Sequence, residues 1–398
     1  MEKNLKLGHA EKAEFLEAAR LAASWLANTQ QTPAHNAWGR VHAKYSADKG
    51  RLMEKCVPSR DFYMPAHIWV HAIGLMGLLD MARTPVTDLD LYSEAARRAA
   101  EYLARSQCYS VLWPRAIGGF HECGPGDPYS APRDGATACM GLIALYRSTG
   151  NRAWLDNAVR FAQWYSTHGS DSDGYPWDDY SLEKGEGTSK IRGDWQAGGA
   201  LVYFQLFRLT GDERWKTAFR KVLDVLMAVC ASADPARDTA YMFHGQCILS
   251  VGNDDFANTA LLAGYRLFNE KRCLDIFASR MLVEWARQAE SGAFPGYGGT
   301  FVTALEMLEA LEFHAAGMPI LPEPELRERL LRAARFTLAL QERGSAERFL
   351  HGGVYGECNY GLSRQIIHAR DTTYGIQLWL RLAGYPAPAY GVMAWERA

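Results

Sequence analysis

The sequence has no stretch apolar enough to cross a membrane. Its most apolar run, Ala66 to Ala82, is broken by His67, His71 and Asp80, whereas a spanning helix needs about 20 apolar residues. The opening MEKNLKLGHAEKAEF lacks the apolar centre of a signal peptide, so a cytoplasmic location is expected, a secreted chain with a trimmed signal being the alternative. Charge of one sign is missing as well: a net charge of -2 gives no electrostatic case for nucleic acid or an anionic membrane. The eight cysteines contain no CxxC pair, and Cys139 and Cys273 fall in predicted helices, so they read as reduced core residues. There is no HExxH, no repeating carboxylate–histidine spacing, no GxGxxG after a strand and no GxxxxGK[ST], so no metal and no organic cofactor is expected. His67 and His71 are four apart on an apolar helix; a ligand pair is conceivable, but buried hydrogen-bonded histidines fit better. Without a Ser/Gly/Pro linker or a like-charge block, residues 1–398 read as one domain.

What the chain does have is a degenerate repeat. Phe15 to Gln31 (FLEAARLAASWLANTQQ) and Tyr92 to Cys108 (YSEAARRAAEYLARSQC) share Glu-Ala-Ala-Arg, an aromatic-Leu pair and a Gln at one constant offset. Weaker copies run Trp154–Thr167, Arg214–Met227, Lys271–Ala289 and Leu326–Glu342. These segments are amphipathic, as solvent-facing helices should be. Between them lies a second kind, apolar around most of its circumference: Phe62–Met81, Gly135–Tyr146, Trp195–Leu209, Phe256–Phe268, Phe301–Ala315 and Thr372–Leu382. A unit that cannot bury its apolar face alone must stack on its neighbours. Six outer helices alternating with six inner ones predict an all-α fold, an (α/α)6 toroid of six helical hairpins; an open solenoid is the alternative.

Loop lengths separate the two rims. Inner-to-outer connections are short, such as Ser148-Thr149-Gly150-Asn151 and Thr210-Gly211-Asp212. Outer-to-inner connections are long: Gln31–Arg60, Gln107–Arg133, His168–Gly193, Ala231–Asp254 and Arg343–Arg370. Long loops without regular structure are uncommon in compact domains unless they function, so the site is expected on this rim, at the inner-helix N-termini. Those entries read Arg60-Asp61, Arg133-Asp134, Arg192-Gly193-Asp194, Asn253-Asp254-Asp255 and Arg370-Asp371. Each Asp can be a helix N-cap, a role compatible with function. Arg at a helix N-terminus is electrostatically unhelpful unless it pairs with the Asp or with a ligand anion, and several of them suggest recognition of a carboxylate.

Aromatics and histidines fill the same loops. Trp113, Phe120, His121 and Glu122 precede Asp134; Tyr175, Trp177, Asp178, Asp179 and Tyr180 precede Asp194-Trp195. His244 precedes Asp254, Tyr297 precedes Phe301, and His351, Tyr355 and Tyr360 precede Asp371. Each aromatic can simply pack its loop onto the helices. Together with the carboxylates and arginines, they favour a glycan over an apolar ligand.

This architecture resembles the six-hairpin glycosidase-like enzymes, a superfamily of hydrolases, lyases and epimerases acting on sugars. Locally, RGDWQAGGALVYFQLFRLTGD, from Arg192 to Asp212, resembles the RGQ-W-…-TGD segment of the unsaturated glucuronyl hydrolases, with Asp194 standing where that family has Gln. The resemblance implies Asp134 and Asp194 as catalytic acids. Trp25-Leu26…Gln30…Trp38-Gly39 also resembles the helix-ending QW repeat of terpenoid-cyclase toroids, and Asn253-Asp254-Asp255-Phe256-Ala257-Asn258-Thr259-Ala260 loosely resembles their acid motif. The expectation is a glycoside hydrolase acting on a uronate-containing or otherwise anionic oligosaccharide. Asp134, Asp194 and Asp255 are its candidate carboxylates; Asp61, Arg133, Arg192, Trp177, Trp195, Tyr355, Arg370 and Asp371 would bind substrate. A uronate lyase or C5-epimerase remains open, with His121, His244, Tyr297, Tyr355 and Arg370 as its groups. A terpenoid cyclase or a non-catalytic glycan-binding protein is a further alternative.

Overall fold

The computed structural model describes residues 5, 7–31, 49–57, 62–85, 88–189, 192–233, 256–294, 299–347, 349–356, 365–386 and 391–395. Six outer helices are α1 (His9–Thr29), α3 (Leu89–Arg105), α5 (Arg152–Thr167), α8 (Glu213–Ser232), α10 (Lys271–Ala286) and α12 (Glu323–Ala339). The inner ring is α2 (Ile68–Met81), α4 (Pro132–Thr149), α6 (Asp194–Ala197) continued through a 3-10 turn into α7 (Leu201–Thr210), α9 (Ala257–Phe268), α11 (Gly299–Ala315) and α13 (Ala369–Ala383). The chain therefore folds as the expected (α/α)6 toroid. On α3 the buried residues Tyr92, Ala95, Ala96, Ala99, Ala100 and Leu103 form one stripe, while Glu94, Arg97 and Glu101 pair in solvent. On α2 every residue except Trp69 is buried, and α13 is buried throughout.

The repeated glutamine is the staple of the outer ring. Gln30 Nε2 donates to the carbonyl of Gly50 in its own loop and to that of Ala95 on the next outer helix. Gln107 does the same with Gly118 and Asn157, and Gln288 with Gly292 and Arg329. Gln341 bonds Gly352 and then Ala18 on α1, so the last outer helix is stapled to the first. Each partner glycine has positive φ and abuts the next helix so closely that a Cβ would overlap its backbone. The Glu-Ala-Ala-Arg…Gln likeness is thus a pattern of ring closure. Trp25 Nε1 adds a bond to the Phe349 carbonyl across the same seam.

Two corrections concern the long loops, which carry short strands. β1 (Met53–Val57) pairs antiparallel with β2 (Phe62–Pro65) and with β6 (Ile367–His368). β4 (Asp179–Ser181) pairs with β3 (Tyr129–Ser130) and β5 (Glu186–Thr188). Loops from different hairpins thereby brace one another, which replaces the ordering that isolated loops would lack. The segment from Phe62 consequently opens as a strand, and α2 begins only at Ile68. Among the described residues no helix is long and apolar enough to cross a membrane.

Candidate functional site

None of the three described aspartates is an N-cap. Asp134 and Asp371 are third in their helices, behind Ala131 and His368 as caps, and Asp194 is first, behind Gly193. They sit in the first turn, where the helix dipole favours a carboxylate. Each answers a different cation. Arg133 holds Asp134 at 2.8 Å, and Arg370 donates twice to Oδ1 of Asp371, at 3.0 and 2.8 Å. Asp194, wholly buried, pairs with Arg280 from α10.

The Asp134 end is the richest in chemistry. The Arg133 guanidinium lies between two indoles, 5.5 Å from the Trp69 ring and 5.7 Å from that of Trp195. Asp134 lies close enough to Glu122 for its charge to act on that carboxyl. Burial, then the Asp134 charge, pushes the Glu122 carboxyl well above the ordinary carboxylate range. The Tyr129 hydroxyl donates to Asp179 beside this pair. His121 is set behind them, its Nδ1 donating to the Asp127 carbonyl at 2.5 Å and its ring edge-on to Trp113.

Next to this cluster lies an imidazolium. His67 caps α2, and its Nδ1 bonds Glu54 on β1 at 2.6 Å. Its hydrogen bonds to Cys123 and Glu54 raise it to about 10. Burial works to raise Glu54, but its bonds with His67 overcome that and hold it at about 2. His71, by contrast, accepts from Leu52 N and donates to the Ala99 carbonyl; burial lowers it to about 3. It is the buried core histidine expected from the sequence. His368 is also kept neutral, by burial and then by the Arg370 charge.

Other candidates lie elsewhere. Arg192 faces outward, paired with Asp171 at 2.5 Å and Asp173 at 2.6 Å over the Tyr175 ring. Tyr355 donates to Glu342 at 2.9 Å, and Trp177 is half-buried against Gly187 of its own loop. Arg370, Asp371 and Asp194 are sealed in the protein interior as ion pairs. Asp61, His244, Asp255 and Tyr297 lie outside the described residues. The structure thus brings together Asp134, Arg133, Trp195 and His121, and adds Glu122, Trp69, Glu54 and His67 to them.

A second group lines the interior wall. Glu306, Glu309 and Glu312 recur on α11, where Arg381 of α13 bridges Glu309 and Glu312 at 2.9 and 3.0 Å. Three glutamates in an otherwise apolar helix were readable in Phe301–Ala315 as a signal. Burial raises Glu306 to about 8 against the opposing Asn258 bond. Among the described residues no His/Cys/Asp/Glu cluster could hold a metal ion.

No family model and no curated protein sequence matches the chain. Solved structures do. Cellobiose 2-epimerase from Spirochaeta thermophila is 15% identical over 94% of this chain and 96% of its own, with a TM-score of 0.61. A D-mannose isomerase is 12% identical over 96% and 100%, with a TM-score of 0.65. An inactive variant of an α-1,6-mannanase from Salegentibacter sp., in complex with α-1,6-mannotriose, is 12% identical over 94% and 100%, with a TM-score of 0.59. The chain therefore has the fold of the six-hairpin glycosidase-like superfamily.

Proposed function

We propose that the chain is a carbohydrate-active enzyme working at the Asp134 mouth, and that it hydrolyses a glycosidic bond in an uncharged glycan. One observation carries this reading: Glu122, whose proton affinity is raised by burial and by the Asp134 charge, shares its site with an Arg133–Asp134 pair that lies against two tryptophans. Glu122, the carboxyl of raised proton affinity, serves as the acid that protonates the leaving oxygen, and Asp134, whose charge raises it, works beside it. The anionic substrate expected from the arginines loses its support, because Arg133, Arg192 and Arg370 are each matched by a neighbouring carboxylate.

A second reading, epimerisation or isomerisation of a sugar, is favoured by the neutral His368 near the rim and by the names of two similar structures. Incubation with α-1,6-mannotriose, cellobiose and D-mannose in D2O separates the two. New reducing ends of lower mass support hydrolysis. An isomer of the substrate with an inverted centre, or one heavier by a carbon-bound deuterium taken from solvent, supports epimerisation or isomerisation. No change in any sugar across a broad panel would remove the enzyme reading.

A further inference from the structure

At the mouth, the chain after Glu122 runs past the start of α2. The Ile68 N–H donates to the Glu122 carbonyl at 3.1 Å, which sets Cys123 beside His67, the residue that caps α2. The turn that follows is held from its other side. The Cys123 N–H donates to Asp127 Oδ2 at 2.8 Å, and the Asp127 N–H donates to the Gly124 carbonyl at 3.1 Å. A Cβ built on Gly126 would meet nothing within 4 Å, so the turn stands in open space. Cys123 is exposed, whereas Cys56, Cys108, Cys139, Cys230 and Cys273 are buried.

His67 meets this thiol with a proton to give. Its Nδ1 bonds Glu54 Oε2 at 2.6 Å, and its backbone N–H donates to the same oxygen at 2.9 Å. Nε2 is the ring nitrogen left for Cys123. Cys123 and Glu54 together keep the ring protonated up to about 10, so an imidazolium stands against the sulfur at neutral pH. Thiol, imidazole and carboxylate follow in the order nucleophile, proton-transfer group, orienter. A cysteine that is exposed, next to a cation and at a helix N-terminus has the surroundings of a reactive thiol, whereas apolar burial makes a thiol inert. Burial pushes the Cys273 thiol up to about 12 and raises Cys108 and Cys139 as well.

We propose that Cys123 is a modification site, a thiol that reacts with a hydroperoxide and becomes a sulfenic acid. The proposal does not depend on the carbohydrate reading. The sulfur attacks one oxygen of the peroxide, so an S–O bond forms and the O–O bond breaks. Sulfur gives up two electrons and the peroxide takes them. The thiol proton passes to solvent, while the leaving hydroxide takes the Nε2 proton of His67 and departs as water; the ring then regains a proton from solvent. The described residues hold no second exposed cysteine to condense with the product, so the sulfenic acid persists until a free thiol attacks it. The added oxygen stands one residue from Glu122, at the rim of the proposed site.

Treating the folded chain with hydrogen peroxide at neutral pH, with dimedone present to trap sulfenic acid, tests this; peptide mass spectrometry locates the adduct and follows its growth. Cys123 should carry the adduct, and Cys123→Ser should remove it. His67→Gln takes away both the adjacent charge and the proton donor, and should slow labelling of Cys123 about tenfold or more. Glu54→Gln, which keeps a hydrogen-bonding side chain but no charge, should slow it in the same direction, and it decides the matter if His67→Gln does not fold. In urea, where the contact between Cys123 and His67 is gone, wild type and variants should label at one common, slower rate. No adduct at Cys123, labelling no faster in the folded chain than in urea, or an unchanged rate in a folded His67→Gln chain overturns the proposal.

Discussion

Asp134 and Asp194 stand in the first turn of neighbouring inner helices, yet one pairs within its own turn and the other pairs across to an outer helix. Asp134 takes its arginine from the preceding residue, so the pair needs nothing from the ring and lies beside Glu122 and the tryptophans. Asp194 takes its arginine from an outer helix, Arg280 of α10, and so spends its charge on joining two layers. The origin of the cation separates the carboxylate proposed for chemistry from one that holds two helix layers together.

The comparison can be broken most directly at Asp134. Asp134→Asn keeps a first-turn polar group and should leave stability within about 1 kcal/mol. If Glu122, with Asp134 beside it, is the acid, turnover should drop by about 10² to 10⁴, the usual worth of a positioned proton-transfer group. Steady-state kinetics on the substrate found above would show it. Unchanged kcat would dismiss the pair.

At Asp194 the balance should reverse. Asp194→Ala leaves Arg280 buried without its counter-charge, a change that costs about 3 to 5 kcal/mol when one partner of a buried pair is removed. Urea unfolding should show the loss directly. A stability close to wild type would mean that Arg280 finds another partner and that the frame role assigned to Asp194 is wrong.

A smaller effect concerns pH. Burial raises Glu284 to about 8 despite the Arg280 charge, and Glu306 to about 8 as well. A carboxyl whose folded value lies above its unfolded one contributes stability that is full below about 4.5 and is lost as pH rises through 8. The chain should therefore melt lower at pH 8.5 than at pH 5.5, by up to about 1.4 kcal/mol per pH unit for each group over that window. Glu284→Gln should flatten the slope, and an unchanged slope would show that Glu284 ionises without cost.

The contrast also marks what a sequence can disclose. The six hairpins were legible because burial imposes a periodicity on every helix, and the Gln30–Gln107 likeness because one staple serves several seams. The rim was legible through loop length. Partner choice was not. Arg-Asp at Arg133-Asp134 and at Arg370-Asp371 look alike, but only the first reaches an aromatic cluster, and Asp194's partner lies 86 positions away. Glu122 was visible merely as a neighbour of His121, since its raised proton affinity comes from burial that only the fold creates. The strands β1 to β6 escaped because they are two to five residues long, too short for alternation to register.

The least costly test compares two glycines of the frame. Gly150 ends α4 with φ +68, and nothing lies within 4 Å of where a Cβ would stand. Gly352 has φ +91, and a Cβ there would meet the Leu21 carbonyl oxygen at 2.2 Å. Gly150→Ala should cost only the left-handed penalty, about 1 to 2 kcal/mol. Gly352→Ala must also push α1 away from the loop, straining the Gln341 bonds to Ala18 and Gly352 that close the ring. It should therefore destabilise distinctly more, and α1 should exchange its amide hydrogens faster while α4 does not. Equal losses at the two positions would show that the seam yields as easily as a free helix end, and that the glutamine staples do not determine closure.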